Sequence, residues 1–425
     1  MDALLVARRE LARKRKISDI EDEEVMLLMN MTMNSAMTFF LAQNQNMRLM
    51  ATVIAMKDQL NMIPRGIDLF DSVGRSEDIK QTLKFMREMD DADFRSSYRL
   101  TREEFVMVLN KLDYGHQRYG GRPITPPAIQ LGLTLRYLAS GVYLDLSFIY
   151  CRFSKSSFYH MLHNTVDKIC KTFDLRFPVG LEDNADGKKF RLPGCVGAVD
   201  GILIPIQLPP NAARSAYYCR KGFYALNMQA VVDANCTFTF VSLKWTGPTP
   251  DSTAFQATTL YHEAERSMIP NLTNGRYLAA DSAYPLRRWI VKPFERSAIA
   301  VGSPREIFNF NLSSDRVTVE RAFGMLVARW RALNITNSSK VSHVTMYAQA
   351  CCRLHNICMK RIIAEGSYDD IPMGIPDGVA PPDGLPRPRY ARPLVGADLG
   401  PADPTGANLR NALMGWCLLH GKERV

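Results

Sequence analysis

Two periods divide the chain. Up to about residue 180, apolar side chains recur at three- and four-residue spacing, as on amphipathic helices; from Cys195 the period shortens to two. Residues 1–62 read as helical, and residues 63–93 read as a connecting region. Thr101-Arg102-Glu103-Glu104 is a capping-box pattern, so it predicts a helix start, with Phe105, Val108, Leu109 and Leu112 on its apolar face. Thr125-Pro126-Pro127 opens a second helix, filled by Leu131, Leu133, Leu135, Leu138 and Ala139 and ended by Gly141. Leu144 to Tyr150, a break at Cys151-Arg152-Phe153 and a helix from Lys155 to Phe173 have the proportions of a helix-turn-helix. Its second helix would present Lys155, Ser157, Tyr159 and His160 near its start; an ordinary helical hairpin fits the same pattern.

Beyond Cys195 the expected strands are Cys195 to Val199, ending on Asp200-Gly201, then Ile202 to Leu208, Phe223 to Val232, Cys236 to Lys244 and Arg276 to Ala280. Helices are expected over Asp251 to Ala264, with Asp251 as its cap, Ser314 to Leu333 and Val344 to Ile363. Strands first, then strands alternating with helices, indicate an α/β unit with a mixed sheet flanked by helices, preceded by an all-α region. The implied organisation is a helical N-terminal region and linker (1–93), a helix-turn-helix-like region (94–180), the α/β domain (190–365) and a tail (366–425). Residues 366–405 of the tail are rich in Pro, Gly and Asp and are expected to be disordered; Asn408 to His420 forms a short terminal helix.

Composition adds a partner class. Over 425 residues the net charge is +10 and the pI about 9.1, which favours a polyanion such as nucleic acid. The nine cysteines are scattered, without a CxxC pair, so free thiols in a reducing compartment are expected. His160 and His163 form an HxxH, but no cysteine or acid cluster accompanies them as a zinc site would require. No stretch reads as a membrane span: Val25 to Met56, the most apolar candidate, is interrupted by Asn30, Asn34, Asn44 and Arg48. The charged N-terminus does not read as a signal peptide. Ten of the 21 Met fall in residues 1–62, a pattern of packing or partner surfaces. The basic cluster from Arg8 to Lys16 fits a nuclear-import signal or a phosphate-contacting arm, and equally a solvated helix face. The expected compartment is the nucleus, with the cytoplasm second.

Candidate chemistry rests on three acids in apolar sequence: Asp200 in GAVDG, Asp281 in LAADSAY and Glu320 in VTVERAFG. Each alone is more often a cap, a turn residue or an ion-pair member, and Glu320 could pair with Arg316 four residues earlier. Two acids at strand ends and one on a covering helix form a different pattern, because functional residues of open α/β sheets gather at strand ends. Converging carboxylates need a cation, and hard oxygen ligands suit Mg²⁺ or Mn²⁺. Two such ions about 4 Å apart can clamp both the attacking and the leaving oxygen of a phosphodiester. Candidate DNA contacts are Lys155, Tyr159, Arg220, Lys221, Arg287, Arg288 and Arg329, joined by Arg214 and Lys292; a plain soluble surface explains about half such residues.

The blocks GAVDGILIPIQLP, YYCRKGFYALNMQAVVDANCTFTFVSLKWTGPTPDSTAF, YLAADSAYPL, NLSSDRVTVERAFGMLVARWRAL and CCRLHNIC, in this order over Cys195 to Cys358, resemble the DDE transposase domain of the PIF/Harbinger group, domesticated Harbinger-derived nucleases included. The resemblance implies an RNase H-like catalytic domain with Asp200, Asp281 and Glu320 as catalytic metal ligands. It implies a metal-dependent endonuclease or transposase that hydrolyses phosphodiester bonds at transposon ends and can transfer the 3′-OH to target DNA. A domesticated DNA-binding adaptor is the alternative. Double-stranded DNA is the expected substrate, the resemblance implies a separate Myb-like DNA-binding partner protein, and the Met-rich helices or the tail could dock it or drive self-association into a homo-oligomer. Asp251 matches a further acid of the group. The sequence departs from the group's pattern where Ile202-Leu203 follows Asp200-Gly201 in place of Thr-His, and where Ala280 and Ala283 flank Asp281-Ser282 in place of Gly.

Overall fold

The computed structural model describes residues 72–114, 125–141, 153–175, 177, 190–273, 275–295, 299–334, 340–366 and 404–420. The chain divides into two compact units, 1–71 and 72–425, and all described residues lie in the second. The expected N-terminal helices, the first half of the helix-turn-helix and the Pro/Gly-rich tail fall outside the described residues.

Among the described residues, five helices precede the sheet: α1 (Ser72–Glu88), α2 (Asp91–Tyr98), α3 (Arg102–Lys111), α4 (Pro127–Ser140) and α5 (Lys155–Thr172). Their ends are written locally. Thr101 Oγ1 accepts from the Glu104 N–H while the Glu104 carboxylate accepts from the Thr101 N–H, the reciprocal capping box that starts α3. Gly141 ends α4 in the left-handed conformation, with φ 75°.

The sheet holds five strands in the order β3-β2-β1-β4-β5: β1 (Cys195–Pro205), β2 (Ala225–Val232), β3 (Phe238–Thr246), β4 (Tyr277–Ala279) and β5 (Ile290–Val291). β1–β2 and β2–β3 are antiparallel; β1–β4 and β4–β5 are parallel. Besides a single helical turn at Arg214–Tyr217, the described helices after β1 are α6 (Asp251–Gln256), α7 (Thr259–Glu265), α8 (Pro304–Arg329), α9 (Val341–Glu365) and α10 (Pro404–His420). A mixed sheet flanked by helices is the RNase H-like arrangement expected for the catalytic domain.

Four expectations are corrected. Asp200-Gly201 does not end a strand. β1 runs unbroken from Cys195 to Pro205, and Ala198 to Pro205 pair with β2 residue by residue, so the ladder overrides the local cost of glycine. The helix expected over Asp251 to Ala264 is two helices, broken between Gln256 and Thr259 where Thr258 caps the second. The helix expected from Ser314 starts ten residues earlier, at Pro304, with Ser303 as N-cap and proline at its first position. Asp251 is the first residue of α6 and makes no cap bond.

Strand alternation sends the sheet's two faces to different cores. Ala198, Ile204, Met228, Ala230 and Val232 join a large cluster with Val319, Ala322 and Phe323 of α8, with α9 and with helices α2 to α5. Val199, Val231, Leu278 and Ile290 face the other way, towards Phe255, Leu260 and Tyr261 of α6 and α7 and towards Trp289. Among the described residues every cysteine is a free thiol, and no helix is long and apolar enough to cross a membrane.

Candidate active site

The parallel pairing of β1 and β4 sets Ala198 opposite Ala279. Two residues further along each chain stand Asp200, in the middle of β1, and Asp281, just beyond the end of β4, so the strand period sets the two acids level and on one face. That face is the α8 face, because Ala198 packs with α8 residues. α8 packs along β1 and lays Arg316 over Asp200, with Arg316 Nη1 3.9 Å from Asp200 Oδ2. Glu320 stands one helical turn further on and is ion-paired with the same guanidinium. Arg316 thus bridges Asp200 and Glu320, while Asp281 lies close enough to Asp200 to raise its proton affinity.

The backbone holds the two aspartates. Asp200 Oδ1 accepts from the Gly201 N–H at 2.8 Å, and Asp281 Oδ1 accepts from the Ala283 N–H at 2.8 Å. Burial pushes the Asp200 carboxyl up to about 7; the Gly201 N–H opposes it, Asp281 adds to it, Arg316 opposes and Asp251 adds again. Burial also raises Asp281. Because Asp200 binds its proton more tightly folded than unfolded, the neutral group stabilises the fold. This contribution is complete below the unfolded value of about 3.9 and disappears as pH rises through about 7. With a chelator present, urea midpoints should therefore fall between pH about 4 and about 7, and Asp200→Asn should flatten that part of the profile. Mn²⁺ should oppose the fall, since a cation favours the ionised acid.

Behind β1, on the α6 face, lies a hydrogen-bonded polar network. Asp251 Oδ1 accepts from Asn227 Nδ2 at 2.8 Å and from Gln229 Nε2 at 3.1 Å. Gln229 Nε2 also donates to Asn227 Oδ1 at 2.7 Å, and the Tyr284 hydroxyl donates to Gln229 Oε1 at 2.7 Å. Tyr284 follows Asp281 by three residues, and Gln229 is the β2 partner of Gly201, so the network ties the Asp200 segment to the turn that carries Asp281. It passes beneath a glycine for a steric reason: a Cβ on Gly201 would lie 2.2 Å from Asp251 Oδ1 and 2.5 Å from Gln229 Nε2. Gly201→Ala should therefore displace Asp200, and any activity that depends on the two acids should fall about a hundredfold with the circular-dichroism spectrum unchanged. An alanine variant as active as the parent would contradict this placement.

The donor set is all oxygen, which fits Mg²⁺ or Mn²⁺ rather than a soft metal. Asp200 and Asp281 are the residues that could hold such an ion; the Glu320 carboxylate is paired with Arg316. Among the described residues no three acid, histidine or cysteine side chains stand together at ligand spacing, in keeping with Glu320 being turned to Arg316.

The predicted DNA contacts separate. Arg220 and Lys221 are exposed in the turn before β2, and Lys155 is exposed at the start of α5. Arg288 is exposed and donates to Ser267 Oγ at 2.5 Å. Tyr159 is half-buried, packed edge-on against Phe158 and Tyr137. Arg287 pairs with Glu265 at 3.3 Å and is mostly covered. Arg329 is corrected outright: it is 4% exposed and donates to His355 Nδ1 at 2.9 Å, so it is a core residue. Missed at the sequence level were Asn227, Gln229 and Tyr284. The signal for Asn227 and Gln229 was polar residues at alternate positions of the otherwise apolar β2. Lys292, expected among the DNA contacts, donates from Nζ to the Ser282 carbonyl at 3.3 Å beside Asp281.

Residues 199–356 match the family of DDE superfamily endonucleases. The protein described as "Protein ALP1-like" from Arabidopsis thaliana is 25% identical over 196 residues, covering 43% of this chain and 47% of that protein. The match thus spans about half the length of that relative. No solved structure matches. The family match and the relative both support the Harbinger-type DDE resemblance.

Proposed function

We propose that this chain, which carries a DDE superfamily endonuclease domain over residues 199–356, is a metal-dependent nuclease that hydrolyses phosphodiester bonds of double-stranded DNA, with transfer of the freed 3′-OH to a second DNA as its further capacity. The observation that carries the reading is the β1–β4 register, which sets Asp200 beside Asp281 under the helix bearing Glu320. A divalent cation held there would neutralise charge on the scissile phosphate and lower the pKa of the attacking water or hydroxyl. Asp200 and Asp281 supply rigid oxygen donors, since each is fixed by a backbone N–H and the pair is braced from behind by Asp251, Gln229 and Tyr284. Arg316 holds the charge of the acids in balance and positions Glu320. The exposed cations Arg220, Lys221 and Lys155 are the proposed contacts to DNA phosphates, and the nucleus is the proposed location.

Metal removal tests the reading. Purified full-length protein should nick or linearise supercoiled DNA in Mg²⁺ or Mn²⁺ and lose this activity in excess chelator, with recovery on adding metal back. Cutting that persists in chelator would refute the metal site. Tight, salt-sensitive DNA binding without cutting under any metal would replace the nuclease reading with that of a DNA-binding adaptor.

A further inference from the structure

The helix α10 lies beyond the matched residues 199–356, yet it is built into the sheet edge next to Asp281. It packs on α8 and on β5, and its Leu413 and Cys417 are buried with Tyr277, Val291, Phe308 and Leu312. The approach is close: a Cβ on Gly406 would lie 2.6 Å from the carbonyl carbon of Arg287. This seat brings Arg410 against Phe294, with the guanidinium carbon 4.1 Å from the ring centroid. Arg305, from the first turn of α8, reaches the same ring at 5.2 Å. The backbone under the ring is fixed, because Asn309 of α8 accepts from the Phe294 N–H at 2.8 Å and donates to the Phe294 carbonyl at 2.9 Å.

Phe294 stands two residues after Lys292, and Lys292 is tied to the segment of Asp281. The Ala280 N–H donates to the Val291 carbonyl at 3.0 Å, and Lys292 Nζ donates to the Ser282 carbonyl at 3.3 Å. α10 itself carries no Asp or Glu. Burial and then Arg305 lower the Arg410 pKa, and exposed Glu295 is the acid that opposes them. Arg410 Nε is buried without a hydrogen-bond partner, and Arg305 is exposed. Two guanidiniums held on one ring are donors fixed in place, and their fork geometry matches a phosphate oxyanion.

We propose that α10 completes a surface for the DNA phosphate backbone beside the acids, with Arg410 and Arg305, stacked on Phe294, as its phosphate donors and Lys292 joining them to the Asp281 segment. The surface rests on the nuclease reading for its ligand. It adds to that reading a part of the chain outside the endonuclease match.

Duplex titration in excess chelator, which prevents cutting, tests the surface in the full-length protein for the parent, Arg305→Gln, Arg410→Gln and the charge-keeping Arg305→Lys. Both glutamine variants should lose about one from the salt slope and about tenfold in affinity at about 0.1 M salt. Arg305→Lys should keep the parent's slope. Melting accompanies each titration; if Arg410→Gln melts lower than the parent, the exposed Arg305→Gln decides. Glutamine variants with the parent's slope and affinity would overturn the proposal, as would a parent that binds no duplex. The surface and the nuclease fail separately. A parent that cuts in Mg²⁺ while the glutamine variants bind as it does keeps the nuclease and loses the surface. A parent that never cuts, with binding weakened in the glutamine variants, keeps the surface and loses the nuclease.

Discussion

Asp281→Asn should lower metal-dependent DNA cleavage about a thousandfold or more, the loss expected when a metal-binding carboxylate that supplies several kcal/mol of transition-state stabilisation is removed. The fold should persist. Asn keeps the shape and the oxygen that accepts from the Ala283 N–H at 2.8 Å. Burial already raises the Asp281 carboxyl, so replacing it with a neutral amide relieves repulsion with Asp200. The variant should therefore melt no lower than the parent in chelator, and its DNA affinity should be kept. Gel analysis of cleavage beside thermal melting checks both halves. A variant that still cuts removes Asp281 from the site; one that fails to cut because it is unfolded shows up in the melt.

His355→Leu should cost stability rather than chemistry, about 3–5 kcal/mol by urea denaturation. Arg329 carries only donors, so it must donate to Nδ1 of His355, and the Nε2–H then donates to the Cys236 carbonyl at 3.0 Å. Burial and Arg329 hold the imidazole neutral, well below its ordinary pKa. Leucine would leave a buried guanidinium and a buried carbonyl unpartnered at once. Cys236 also stands at φ 61°, where its turn depends on such bonds. The double variant Arg329→Met, His355→Leu should recover much of the loss, because the stranded charge goes with the ring. Equal stability of His355→Leu and the parent would disprove this account of the α8–α9 contact.

What could be read in the sequence was local or periodic. The Thr101–Glu104 box and the glycine after Ser140 act within one helical turn, so their residues suffice to place them. Asp281 stood out because an acid interrupts small apolar residues just after a strand. Features set by distant partners were misread. Gly201 looked like a strand end because it lacks a side chain; its pairing with Gln229, 28 residues later, keeps the strand running. Asp251 looked like a cap because it opens a helix, yet its bonds go to β2. β5 has two residues, too few to show a period. Arg329 was misplaced although its helix phase was available: Met325 and Leu326, four and three residues earlier, are both buried.

The direct measurement of the central claim is Mn²⁺ binding to purified protein, followed by electron paramagnetic resonance, for the parent beside Asp200→Asn and Asp281→Asn. The parent should take up Mn²⁺ with an affinity that rises towards pH about 7 as Asp200 loses its proton, and both variants should lose that uptake. Uptake by either variant equal to the parent's would contradict the shared metal site.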